Sequence, residues 1–158
     1  MKAEKGQEEE TMRLIEHKVD TSGEESVVLN YVELTKDFED VKNYVIGKGR
    51  LLTAYGKEKE MCKIRLDDVL YFEAVGELVF AYTEKQVYEI KMRLYQVERE
   101  LKPYNILRAS KSLIVNIGHI RSVRPALNGR LYARMTNGED VLISRQYAKD
   151  IKSTILAG

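Results

Sequence analysis

The sequence predicts an α+β fold built mainly from antiparallel β-strands. From Leu51 onward, short runs rich in Val, Ile, Leu and Tyr are separated by turn residues every few positions. Only three stretches repeat apolar residues at the three- and four-residue spacing of a helix. Apolar residues make up 44% of the chain, enough for a core, yet no run reaches the length of a membrane span.

Taken in order, residues 1–11 are polar and are expected to fray. Met12–Val19 and Ser26–Val32 read as strands around the loop chemistry of Asp20-Thr21-Ser22-Gly23. Thr35 is placed to cap a helix whose face is Phe38, Val41 and Val45, and Gly47 and Gly49 stop it. Leu51–Tyr55 is a third strand. Residues 12–56 are thus expected to form a small β-β-α-β accessory unit, with residues 61–158 as a separate strand-rich domain.

In that domain, Cys62–Leu66 and Val69–Ala74 flank an Asp67-Asp68 turn, and Leu78–Thr83 and Gln86–Ile90 form a hairpin. Leu94, Val97 and Leu101 mark a short helix closed by Pro103. Strands follow at Ile106–Ala109, Leu113–Val115 and Ile120–Val123. Leu131, Ala133 and Met135 alternate with Arg130, Tyr132 and Arg134, a half-buried strand with a basic outer face. Asn137-Gly138 turns it into Val141–Ile143. Ser144 caps a last helix with Tyr147, Ile151 and Ile155 on one face.

The composition narrows the function. The single cysteine, Cys62, forbids an intrachain disulfide and reads as a small buried hydrophobe. With His17 and His119 as the only histidines, a metal site is not expected. There is no phosphate-binding glycine loop and no nucleophile elbow, so neither an enzyme nor a cofactor is expected. The charged N-terminus has no apolar signal core, which points to the cytoplasm. Residues 1–60 hold 10 Lys and Arg against 14 Asp and Glu, whereas residues 103–158 hold 9 against 3. A basic C-terminal third on an otherwise acidic chain suggests a polyanionic partner.

Three clusters of polar and basic residues fall at strand junctions in that third. The first is Arg108-Ala109-Ser110-Lys111-Ser112. The second is Arg124-Pro125-Ala126-Leu127-Asn128-Gly129-Arg130, and the third is Ser144-Arg145. Arg and Lys bind phosphate oxygens, Arg also forks onto guanine, and a helix start adds its own attraction for anions. No helix-turn-helix, zinc finger or basic zipper pattern is present.

Residues 64–155 resemble the LytTR-type DNA-binding domain of bacterial regulators. The resemblance begins at Ile64-Arg65-Leu66-Asp67-Asp68-Val69-Leu70-Tyr71-Phe72-Glu73. It is most specific at Leu107-Arg108-Ala109-Ser110-Lys111-Ser112-Leu113-Ile114-Val115-Asn116. It closes with Asn128-Gly129-Arg130, Asn137-Gly138-Glu139 and Ser144-Arg145-Gln146-Tyr147. It implies small antiparallel sheets with few helices, and loops rather than a recognition helix inserted into successive major grooves. It further implies DNA contacts at Ser110, Lys111, Asn128 or its neighbour, and Arg145, with Arg108 and Ser112 assisting. Asn116 matches a family asparagine that reads first as structural. Many members carry His where this chain has Ser110, so base reading there differs. Residues 1–56 are too short for the phospho-receiver that many members carry. Stand-alone members of this kind include some encoded with a small membrane protein that restrains them.

The expectation is therefore a transcription regulator that binds duplex DNA through Arg108, Ser110, Lys111, Ser112, Asn128, Arg130, Ser144 and Arg145. The N-terminal unit would make it a homodimer. Two alternatives remain open at this point: a module whose basic face meets an acidic protein, and an RNA-binding β-platform using Tyr132.

Overall fold

The computed structural model describes residues 13–157, and the expected frayed tail lies outside them. The chain divides after Asn30 into two units. In the first, the one regular element among the described residues is a single 3-10 turn at Ser22–Glu24. The strands expected at Met12–Val19 and Ser26–Val32 are not formed among the described residues. Apolar and β-branched residues favour extended backbone, but a strand exists only through hydrogen bonds to a neighbour, and no ladder includes these segments.

The second unit begins with helix α1, Lys36–Gly47. The Thr35 carbonyl accepts the Glu39 N–H at 2.9 Å, and Asp37 and Glu39 in the first turn suit the positive end of the dipole. Phe38, Val41 and Val45 are half-buried, as their spacing predicts. Gly47 lies against the Tyr104 ring, where an added Cβ would sit 3.0 Å from the ring carbon Cδ1.

Seven strands form one sheet: β1 (Leu51–Tyr55), β2 (Met61–Arg65), β3 (Val69–Val75), β4 (Leu78–Thr83), β5 (Val87–Ile90), β6 (Ile106–Arg108) and β7 (Leu113–Asn116). Their order is β2-β1-β5-β4-β3-β7-β6. β1 pairs with β2 along its whole length and meets β5 at Tyr55↔Glu89. The β-β-α-β accessory unit is therefore corrected: its third strand is an integral part of the large sheet. Local pattern found the strand, but the partner was set by long-range pairing. The Lys59 ammonium, 2.8 Å from the buried Glu89 carboxylate, ties the β1–β2 turn to β5. With Lys91 on the same carboxylate, it holds Glu89 below the usual carboxylate range.

Helix α2 (Leu94–Leu101) opens with the Arg93 N–H bonded to the Gln96 side chain at 2.8 Å. Its buried face of Leu94, Val97 and Leu101 packs with Phe72, Val79, Ile106 and Ile114 on one side of the sheet. A three-stranded sheet, β8 (Ile120–Pro125), β9 (Leu131–Met135) and β10 (Asp140–Ile143), and the last helix α3 (Arg145–Ala157) form a second core. There Ala133, Met135, Ile143 and Ile151 pack with Leu70, Tyr71, Leu113 and Val115. Strands β3 and β7 thus feed both cores by alternation, and a register shift between Val69 and Tyr71 turns Leu70 and Tyr71 toward the same one. Each fully buried Leu, Ile or Phe contributes roughly 1.5–3 kcal/mol.

Polar ties connect the two sheets. The His119 ring bridges the Thr136 hydroxyl, 3.0 Å away, and the Asp67 carbonyl, and the Tyr71 hydroxyl donates to Glu139 at 3.0 Å. Burial and the Glu139 carboxylate push the Tyr71 phenol far up. Among the described residues no helix is long and apolar enough to cross a membrane.

Candidate nucleic-acid interface

The loop after β6 is held by one arginine. Ala109 and Ser110 both donate backbone N–H groups to the Leu113 carbonyl, at 2.8 and 3.1 Å. The Arg108 guanidinium donates to the carbonyls of Ser110 and Lys111, each at 2.7 Å, and to the Glu98 carboxylate of α2 at 3.2 Å. Its side chain is only 17% exposed. These bonds use Arg108 to shape the loop, leaving Lys111 and Ser112 exposed at its tip and Ser110 half-exposed. The Ser110 hydroxyl accepts the Ser112 N–H at 3.2 Å and keeps its own hydrogen to donate.

The second loop turns between β8 and β9. Ala126 N–H bonds the Arg130 carbonyl at 2.9 Å, and the Arg130 side chain donates back to the Leu127 carbonyl at 2.9 Å. Asn128 and Gly129 both take left-handed backbone, at φ +62° and +73°. Asn tolerates that region and Gly adopts it freely.

The third cluster joins the other two. The Ser144 N–H donates to the Ala109 carbonyl at 2.8 Å, fixing the start of α3 on the first loop. The Ser144 carbonyl accepts from Tyr147 and Ala148, which begins the helix. The Arg145 side chain then crosses Gly129: a Cβ added there would lie 2.8 Å from Arg145 Cδ and 2.9 Å from its Cγ. A side chain at 129 would displace Arg145, so the glycine serves as its seat. The three clusters are thus contiguous. Their segments 108–112, 126–130 and 144–146 carry four cations, Arg108, Lys111, Arg130 and Arg145, and no carboxylate.

The side chains of Lys111 and Arg145 make no ion pair and donate no hydrogen bond among the described residues. Arg124 and Arg134, on the outer face of the small sheet, are by contrast bound to Asp140. Those two guanidiniums hold the Asp140 carboxyl far below the usual range, and their own ionisation is pushed up by it. Tyr132, also on that face, lies under the Arg124 guanidinium at 4.8 Å.

A family model of the LytTr DNA-binding domain matches residues 59–156. The chain belongs to the LytTR family. It is 33% identical over 110 residues to an uncharacterised HTH-type transcriptional regulator of Staphylococcus aureus strain NCTC 8325, covering 70% of this chain and 74% of the relative. A counterpart in strain MRSA252 is 32% identical over the same length. Among solved structures it resembles the LytTr DNA-binding domain of a Bacillus cereus protein described as a methyl-accepting/DNA response regulator. That match has a TM-score of 0.61 and 25% identity, and covers 68% of this chain and 97% of the other. The relatives' names say HTH-type, but among the described residues of this LytTR chain five strands separate α1 from α2 and five more separate α2 from α3, so no two α-helices adjoin as that motif requires.

Sequence reading missed two supporting residues. Glu98 was one apolar-helix neighbour among several, and nothing local marks it as the partner of Arg108. Gly129 was legible as a turn residue, but its role under Arg145 depends on a residue sixteen positions away.

Proposed function

We propose that the chain is a transcription regulator that binds duplex DNA through the surface made by loops 109–112 and 126–130 and the start of α3. The observation that carries this reading is the seating of Arg145 on Gly129, with Ser144 bonded to Ala109. It brings together three segments that carry unneutralised cations and short polar side chains. Arg145, Asn128 and Ser110 are assigned to base edges, Lys111 to phosphate, and Ser112 and Ser144 to lesser contacts on the same face. Arg108 and Arg130, bonded to their own loops' carbonyls, act mainly by holding the loops.

Selection from a random duplex library tests the reading: a defined consensus is expected. Enrichment of no sequence would sink it, as would RNA or an acidic protein competing better than duplex DNA. Lys111→Ala should weaken binding on specific and scrambled duplexes alike. It should also lower the slope of log affinity against log salt by about one unit, because one phosphate contact is lost. An unchanged slope would remove Lys111 from the interface.

We also propose a homodimer formed through the N-terminal segment, placed in the cytoplasm, with a small membrane protein as a candidate restraint. Leu14, Ile15, Val27 and Val28 of that segment are exposed, and two copies would suit repeated half-sites. Light scattering of the full chain and of one beginning at Tyr31 should give a dimer and a monomer. A truncation near Glu60 would remove β1 and is unsuitable. A monomeric full chain rules the dimer out.

A further inference from the structure

Within the three segments that form the proposed surface, Leu127 is the one large apolar side chain left in solvent, at 78% exposure. The same three segments carry Asn128, Arg130, Arg145, Lys111 and the serines Ser110, Ser112 and Ser144. The backbone that carries it is unusually constrained. Its carbonyl accepts from the Arg130 side chain at 2.9 Å and from the Arg130 N–H at 3.4 Å. The two following residues are locked in left-handed conformations, the second of them under Arg145.

A single exposed leucine is ordinary on a protein surface. One presented from a constrained turn, two residues from the glycine that seats Arg145, is a different matter. The major-groove edges of the bases are polar with one exception, the C5-methyl group of thymine. An apolar side chain in that position has a single complementary group to meet.

Resting on the DNA-binding reading above, we infer that Leu127 reads a thymine methyl next to the base read by Arg145 or Asn128. The contact favours thymine over cytosine, which presents a hydrogen where thymine presents its methyl. It supplies selectivity that the short, uncharged Ser110 does not. Burying one methyl group corresponds to about a fourfold change in affinity.

The test uses the full-length protein and its selected duplex, with each thymidine replaced in turn by deoxyuridine. The substitution deletes the methyl and leaves every hydrogen-bonding group in place. The parent protein should lose about fourfold at one or two positions. Leu127→Ala should bind the unmodified duplex correspondingly more weakly and be indifferent to deoxyuridine at those same positions. Leu127→Val, which keeps an apolar branch, should retain part of the discrimination. Parent binding that is insensitive to every replacement overturns the inference, as does a Leu127→Ala protein that still loses affinity at the same positions. Both results leave the DNA-binding reading intact. A parent that selects no duplex at all removes both.

Discussion

Arg145→Ala is expected to weaken binding to the preferred duplex by about 1–3 kcal/mol, roughly 5- to 150-fold, and to relax the preference at one base pair. The loss should be much smaller on scrambled duplex, so the ratio of specific to non-specific affinity falls. Two features of the site give the size. The guanidinium has no partner within the protein among the described residues, so its removal costs the fold no ion pair. Its stem lies along Gly129, so it is held in place before DNA arrives and loses less freedom on binding. Lysine is a poor replacement, because a point charge cannot fork onto two acceptors. Arg145→Lys should therefore keep the salt slope and lose most of the selectivity. The control is Lys63→Ala, on β2 at the opposite edge of the large sheet from β6. Arg50 is unsuitable as a control, because its guanidinium donates to the Tyr104 hydroxyl at 2.9 Å and stacks on that ring. Titration of labelled duplexes at several salt concentrations decides it. If Arg145→Ala loses equally on all sequences, Arg145 contacts phosphate and the base-reading role is wrong.

Much of this architecture could be read from local pattern, because the domain is made of short elements bounded by strong turn signals. Leu78–Thr83, Leu94–Leu101 and the Asn137-Gly138 hairpin are found where the sequence places them. In the hairpin Gly138 supplies the left-handed residue at φ +88°. The alternation of Leu131, Ala133 and Met135 with outward residues is also seen. Pairing partners were not legible. β2 and β3 follow one another in sequence yet have three strands between them, and β1 joins the sheet of the domain from which the accessory unit was expected to be separate. The same limit applies at the surface. Three basic clusters were visible, but a charge count gives no hint that Arg108 spends its donors on its own loop while Lys111, three residues on, spends none. Nor does it show that Asp140 neutralises part of the basic face of β9.

Asn116→Ala is expected to destabilise the domain by about 2–4 kcal/mol without altering DNA selectivity. The residue sits in the most family-specific stretch of the sequence, a few positions from Lys111, so proximity alone would suggest a contact with DNA. Its geometry argues otherwise. Asn116 is buried, its amide donates to the Val69 carbonyl at 2.9 Å, and its oxygen accepts the Gly118 N–H at 3.1 Å. The β3–β7 ladder begins only at Tyr71↔Val115, beside the register shift, so Val69 lies beyond the paired stretch on that side. The amide reaches past the end of the ladder to a residue with no solvent exposure. Alanine would leave that carbonyl without its side-chain donor, at a cost of about 1–3 kcal/mol, and would lose the turn bond, worth about 1 kcal/mol. Aspartate keeps the acceptor for Gly118 but places a carboxylate against the Val69 carbonyl, and should be no better tolerated. Urea titration of parent and Asn116→Ala gives the stability difference. Binding measured well below the transition should then show the parental consensus and salt slope. A variant with parental stability and lost DNA affinity would move Asn116 from the core of the fold to its DNA-binding face.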